Sequence, residues 1–85
     1  MKPKIHDLKT WPGVFNATLS GRKTAEYRFN DRNFKCGDYL NLREYQPESE
    51  TYTGESLLVE ITHIVRGGNF GIPEGYCVMS VRLSK

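Results

Sequence analysis

The sequence predicts a small α+β domain in which a strongly curved, mainly antiparallel sheet lies beside one short helix. Apolar residues recur at helical spacing once, between residues 11 and 19. Later segments alternate apolar and polar residues, as strands do, and turn residues separate them. With 85 residues the chain can bury one modest core, and closing the sheet into a barrel would protect its edges.

Charge narrows the classes of function. The formal net charge of +2 is too small by itself for strong binding to nucleic acid. The distribution of charge along the chain is more informative about function. Residues 21–35 contain five basic residues, whereas residues 44–65 contain five acids and no lysine or arginine. This two-sided pattern favours one basic face that turns toward a phosphate-bearing partner.

Cysteine usage and hydropathy exclude other classes. Cys36 and Cys77 match neither a secreted disulfide scaffold nor a zinc site, and both are expected to be buried or half-buried thiols. No metal or cofactor motif is visible. The sequence shows no signal-peptide pattern and no apolar run of membrane-spanning length, so we expect no membrane partner and a cytoplasmic location.

The first elements follow from local signals. Residues 1–9 predict an extended lead-in anchored by Ile5 and Leu8. His6 has no second histidine or cysteine nearby, so it is expected to hydrogen bond and not to hold a metal. Thr10 is the predicted N-cap of the helix and Gly21 its stop. The helical stripe consists of Trp11, Val14, Phe15, Thr18 and Leu19, of which Trp11 and Phe15 are predicted core residues.

Alternation of side chains predicts the strands. In the clearest one, His63 shares the apolar face and is expected to be a buried, hydrogen-bonded core residue. The glycine-rich loop 66–75 lacks the strand-to-helix context of a phosphate-binding loop and predicts a flexible flap or binding loop. The predicted strands are 24–29, 39–45, 57–65 and 76–83, with 51–53 as a hairpin arm that Gly54 and Glu55 interrupt.

Residues 20–32 carry the strongest functional signal. Arg22 and Lys23 follow the glycine turn and come just before a predicted strand. On that strand Thr24, Glu26 and Arg28 share one face, because side chains alternate. A lysine, a carboxylate and a guanidinium are therefore predicted to lie together at one end of the sheet. The same spacing is also typical of a solvated strand face with weak ion pairs.

These residues resemble a known family. The stretch 21–28, Gly-Arg-Lys-Thr-Ala-Glu-Tyr-Arg, resembles the G-x-K-x-x-E-x-R signature of ASCH domains, which belong to the PUA-like superfamily of small β-barrels. The likeness covers nearly the whole chain, so residues 1–85 are taken as a single domain. Blocks at 6–12, 31–34, 37–38, 42–45 and 52–54 are similar to a small bacterial and phage family within that group. The resemblance implies a barrel of about five strands with one helix beside it, a cleft lined by the signature residues, and binding of RNA or modified nucleosides.

The primary hypothesis is an RNA- or nucleotide-binding module. Phosphates would meet basic side chains, Glu26 would accept a hydrogen bond from a base, and Tyr39, Tyr45 or Phe70 would stack on an unpaired base. The candidate binding residues are Arg22, Lys23, Thr24, Glu26, Arg28, Arg32, Tyr39, Arg43 and Phe70.

Two alternatives stay open. An enzyme acting on a modified nucleoside or on RNA, amidohydrolase- or ribonuclease-like, would use Lys23 to stabilise charge and Glu26 as an acid or base. ASCH relatives that deacylate N4-acetylcytidine have a threonine nucleophile where this chain has Glu26, which disfavours amide hydrolysis. The second alternative is a protein-interaction module, as is common for small phage proteins.

Overall fold

One sheet of five strands curls into a half-barrel, with a single short helix beside it. The computed structural model describes residues 2–84, so the prediction for Met1 lies outside the described residues. The elements are β1 (Ile5–Thr10), α1 (Pro12–Leu19), β2 (Ala25–Phe29), β3 (Tyr39–Gln46), β4 (Thr51–Arg66) and β5 (Tyr76–Leu83). The strand order is β1-β3-β4-β5-β2, with β1 parallel to β3 and every other pair antiparallel. The predicted fold class is confirmed.

The core fills the concave side of the sheet. Because side chains alternate, every second residue of the three central strands points inward. Phe34, in the connection between β2 and β3, is the largest fully buried side chain and is 1% exposed. The core consists of Leu8, Phe34, Leu40, Leu42, Val59, Ile61, Cys77, Met79 and Val81. Within residues 2–84, the helix is too short to cross a membrane.

A β-bulge reverses the faces of β4. Ile61 pairs with Val81 but His63 pairs with Ser80, so β4 contains one extra residue at Thr62. Beyond the bulge Ile64 packs against the core and His63 is exposed. The prediction that His63 is a core residue is therefore wrong. The strand that was predicted to stop at Gly54 runs through that glycine at a φ of 95°, although its pairing with β3 is irregular there, between Arg43–Ser56 and Tyr45–Tyr52.

The start of the helix differs from the prediction. Thr10 is part of β1 and pairs with Glu44, and its buried hydroxyl has no hydrogen-bond partner within residues 2–84. The N-cap is Trp11, whose backbone is extended (φ −71°, ψ 154°). This extended residue breaks the helical spacing, so Trp11 is 59% exposed and its assignment to the core is wrong. Phe15 is buried, as predicted, and with Thr18 forms the inward side of α1.

Two arginines, one in edge strand β2 and one in the loop that follows it, bond to the other edge strand, β1. The carbonyl of Lys4 accepts from the N–H of Tyr39, so the carbonyls of Asp7 and Lys9, on alternate residues, point to the open edge. Arg32 Nη1 donates to Asp7 O at 2.6 Å, and Arg28 Nη2 donates to Lys9 O at 3.1 Å. Two guanidinium groups thus satisfy edge carbonyls that a further strand would otherwise bind.

Backbone hydrogen bonds close the loop 66–75. Gly67 N–H donates to Tyr76 O at 2.7 Å and Gly68 N–H donates to Ile72 O at 2.8 Å. A Cβ atom on Gly67 would lie 2.0 Å from Pro73 O, so only glycine allows this close backbone approach. Phe70, at the tip, is 91% exposed. Flexibility of this loop stays a prediction.

Candidate functional site

Glu26 lies at the centre of a three-residue ion cluster. Strand alternation turns its side chain into the half-barrel opposite Met79, and it is 3% exposed. Lys23 Nζ donates to Glu26 Oε2 at 2.7 Å and Arg28 Nε donates to Glu26 Oε1 at 3.2 Å. Lys23 also donates to the carbonyl of Ala25. The structure brings the predicted lysine, carboxylate and guanidinium together, but both carboxylate oxygens are already bonded.

A cleft of about 330 Å³ opens where the chain leaves α1 and enters β2. Its floor is apolar, from Val59, Val81 and Leu83, and its polar rim contains Lys23 and Thr24. The turn that shapes this end contains Gly21, whose φ of 83° an L-residue rarely adopts. The lining residues are Thr18, Gly21, Lys23, Thr24, Val59, Val81, Arg82 and Leu83.

Arg82 lines the cleft between Val81 and Leu83 and was not predicted from the sequence; its side chain turns to the outer face of the sheet. Its guanidinium donates from Nε and Nη2 to Glu60 Oε1 at 3.1 and 3.0 Å, across neighbouring strands. The pairing of β2 with β5, continued by the Val81 N–H that donates to Thr24 O, brings this end of β5 to the cleft, so no local motif indicates Arg82. In the sequence, the one indication of a role for Arg82 was a charged residue at an outward position of a mostly apolar strand.

The other predicted binding residues lie apart from this cleft. Arg22 is exposed and donates from Nε to Ser20 Oγ at 3.0 Å. Arg32 is turned toward the edge of β1. Glu26, Arg28, Tyr39, Arg43 and Phe70 do not line the cleft, so of the charged signature residues only Lys23 does, as far as residues 2–84 show.

Arg43 belongs instead to a cation–aromatic cluster on the outer face of β1, β3 and β4. Its Cζ lies 4.0 Å from the ring centroid of Tyr52, and Lys9 Nζ lies 4.2 Å from that of Tyr45. The two tyrosine rings meet edge to face with centroids 5.1 Å apart. Each contact contributes about 0.5–1 kcal/mol at an exposed site. The cluster therefore stabilises the β3–β4 pairing whether or not a base stacks on it.

Residues 5–81 match a family described as "Domain of unknown function (DUF3850)". The chain belongs to this family. The matched range contains the whole Lys23–Glu26–Arg28 cluster and most of the cleft floor, and ends just before Arg82.

A relative comes from Escherichia phage P2, where it is called "Uncharacterized 12.9 kDa protein in GpA 3'region". It is 38% identical to this chain over 64 residues, which is 75% of the chain. The match covers 57% of the phage protein, so the chain spans somewhat over half the length of this curated relative.

A second buried polar pair joins β1 to the turn before β3. Asp38 Oδ1 accepts from the backbone N–H of Lys4 at 3.1 Å, and Asp38 Oδ2 lies 3.0 Å from His6 Nε2. Burial disfavours the charged carboxylate, but the hydrogen bonds from His6 and Lys4 outweigh it, and the pKa of Asp38 lies below its ordinary value. Asp38 is then ionised at neutral pH and His6 donates, in agreement with the predicted hydrogen-bonding role of His6.

This pair predicts an acid-sensitive contribution to stability. A group whose pKa is lower in the folded state stabilises the fold above its unfolded pKa and loses that effect as the pH falls through its folded pKa. The free energy of unfolding should therefore fall on acidification below about pH 4, the ordinary value for aspartate. In Asp38→Asn, this part of the acid dependence should be absent, as urea titrations at a series of pH values will measure. An unchanged acid slope in the variant would contradict the assignment.

The two cysteines differ in environment. Burial raises the pKa of the Cys77 thiol, an effect that nearby Arg66 partly offsets. Cys36 is exposed, contrary to expectation, and its Sγ donates to the carbonyl of Thr62 at 3.1 Å. Within residues 2–84 no three His, Cys, Asp or Glu side chains lie close enough together to hold a metal ion.

Proposed function

We propose that this protein binds RNA and that the cleft between α1 and β2 holds one nucleotide of the strand. The observation that supports the proposal is the chemistry of the cleft, with an apolar floor of Val59, Val81 and Leu83 under a rim that contains Lys23 and Thr24. Ligand sites are commonly apolar concave surfaces with a few polar groups that fix orientation. A flat base fits the floor, while the rim offers the Lys23 ammonium for a phosphate and the Thr24 hydroxyl for a sugar or base edge.

In this proposal Glu26 positions the cations. An ammonium group has three N–H donors, of which Glu26 and the carbonyl of Ala25 occupy two in Lys23. One donor stays available for a phosphate oxygen. Arg28 is oriented by Glu26 on one side and by the carbonyl of Lys9 on the other. Of these two cations Lys23 lines the cleft, and it is therefore held in place before a ligand arrives, which lowers the entropic cost of binding.

Binding is favoured over catalysis because the carboxylate is not presented to a ligand. A general acid or base must come within hydrogen-bond reach of the proton it transfers. Glu26 is buried and both of its oxygens are bonded to cations. The resemblance of residues 21–28 to the ASCH signature also supports RNA as the partner, and we place this interaction in the cytoplasm.

The test is the salt dependence of binding to a short single-stranded RNA, measured by fluorescence anisotropy. For single strands the logarithm of affinity falls with the logarithm of salt concentration by about 0.7 per neutralised phosphate. Lys23→Gln should weaken binding and flatten this slope by about that amount. Leu83→Trp leaves every cation in place but fills the cleft, and should weaken binding by about tenfold, equivalent to ~1.4 kcal/mol.

The matched control is Val14→Trp, which places the same indole on an exposed part of α1 outside the cleft. It should bind RNA like wild type. The proposal fails if wild type does not bind RNA at low salt, or if Leu83→Trp and Lys23→Gln both bind as wild type does. Consumption of a modified nucleoside by wild type, without retention of RNA, would favour the enzyme alternative.

A further inference from the structure

A second cleft, of about 260 Å³, lies where residues 2–4 pass the turn that precedes β3. It is lined by Lys2, Pro3, Lys4, Lys35, Cys36, Gly37 and Asp38. Sequence reasoning did not identify it, because its two walls are about thirty residues apart in the chain. We refer to it below as the lysine cleft.

The lysine cleft has an excess of positive charge. Three of its lining residues are lysines, and among the salt bridges within residues 2–84 none involves Lys2, Lys4 or Lys35. Asp38 is the one acid that lines it, and both of its oxygens are bonded, to the Lys4 N–H and to His6. A formal excess of two charges in a concave surface focuses the field toward an anion.

Both walls of the lysine cleft are anchored to the sheet. Asp38 N–H donates to Lys35 O at 3.0 Å, and Gly37 has a φ of 95°, as the third residue of a type II turn requires. Gly37 N–H donates to Ile61 O at 2.8 Å, which fixes the turn to β4. The other wall is held by the two backbone bonds of Lys4, to Asp38 and to Tyr39. The stems of Lys4 and Lys35 thus leave from a fixed backbone, and a ligand need not order the chain at these two residues.

We propose that the lysine cleft is a binding site for a phosphate group. The ligand class follows from the charge excess, from the size of the cleft, which exceeds that of a single phosphate, and from lysine as a phosphate-binding cation. The phosphate can belong to a free small anion or to a nucleic acid strand. This site is separate from the cleft of the proposed function and does not depend on it.

Cys36 provides a local readout of occupancy. It lines the lysine cleft and is exposed, whereas Cys77 is buried. Iodoacetamide is uncharged, so the lysines do not steer it. Inorganic phosphate should slow alkylation of Cys36, by about threefold at twice its dissociation constant, because only the unoccupied fraction reacts. Sodium chloride at matched ionic strength should slow it far less. Mass spectrometry of intact protein measures both rates.

Lys35→Gln should weaken the protection by phosphate about two- to fivefold, the effect of one exposed ion pair. Lys9→Gln removes the same charge from the outer face of β1, outside the lysine cleft, and should leave the protection as in wild type. Because each variant is compared with itself with and without phosphate, any change in its basal thiol reactivity cancels. Equal slowing by chloride and phosphate, or full protection in Lys35→Gln, overturns the proposal.

A short single-stranded RNA distinguishes the two sources of phosphate. If it protects Cys36 at a lower concentration than inorganic phosphate, and Lys35→Gln weakens both effects alike, the site holds a phosphate of a nucleic acid strand. If inorganic phosphate alone protects, the ligand is a free anion. The RNA-binding proposal is measured at Lys23 and Leu83 and this one at Cys36, so each can fail without the other.

Discussion

Replacing Phe34 by alanine should lower the free energy of unfolding by about 3–5 kcal/mol. Phe34 is the largest side chain that is fully buried, and the edge of the His6 ring packs on it with centroids 4.9 Å apart. Its backbone is fixed as well, since its N–H donates to Asn30 Oδ1 at 2.9 Å and its carbonyl accepts from Arg66 at 3.3 Å. The surrounding sheet therefore has little freedom to fill the cavity. Small domains have about 5–15 kcal/mol of stability in total, so the loss is severe.

Urea unfolding followed by circular dichroism measures this change. Phe70→Ala is the matched control, because the same group is removed from a side chain that is almost fully exposed. It should change stability by about 0.5 kcal/mol or less. Trp11→Ala should also have a small effect, contrary to what the helical spacing alone predicts. A Phe34→Ala variant as stable as Phe70→Ala would show that the core is organised differently.

Replacing Glu26 by alanine should destabilise the fold by about 1–3 kcal/mol. The substitution leaves Lys23 and Arg28 facing each other without the carboxylate between them. Removing one partner of a fully buried ion pair costs about 3–5 kcal/mol. The expected loss is smaller because Lys23 and Arg28 are 31% and 28% exposed, so water can solvate their charges.

Added salt should recover part of this loss, because it screens the repulsion between two partly exposed cations. Urea unfolding at low and high salt measures the difference. Glu60→Ala is the control, since it removes a carboxylate that pairs with one mostly exposed guanidinium on the outer face. Its effect should be about 0–1 kcal/mol. If Glu26→Ala and Glu60→Ala cost the same and respond alike to salt, the ion cluster does not organise this end of the sheet.

Local patterns in the sequence were sufficient for several features of the fold. The strands β3 and β5 begin at the predicted residues Tyr39 and Tyr76, because alternation and flanking glycines are local signals. The Lys23–Glu26–Arg28 cluster was also predictable, since its members are two or three residues apart and a strand places Glu26 and Arg28 on one face. Phe15 lies in the core for the same reason, as the helical spacing indicates.

Other features depend on which strands become neighbours. One extra residue at Thr62 turns His63 outward, and the sequence contains no local sign of that bulge. Arg28 and Arg32 looked like free cations, but the curl of the sheet brings them to the carbonyls of β1. Trp11 leaves the helical stripe because β1 ends only one residue before α1 and its backbone stays extended.

The sequence by itself determined the fold class, the inward position of the apolar residues of β3 and β5, and the ion cluster around Glu26, because each depends on residues that are close in the chain. Only the tertiary structure decided which side chains line the two clefts. Arg82 reaches the first through the pairing of β2 with β5, and Lys35 reaches the second through the parallel pairing of β1 with β3. These strand pairings are formed by backbone hydrogen bonds, which do not depend on the identity of the side chains. No sequence motif therefore predicts them.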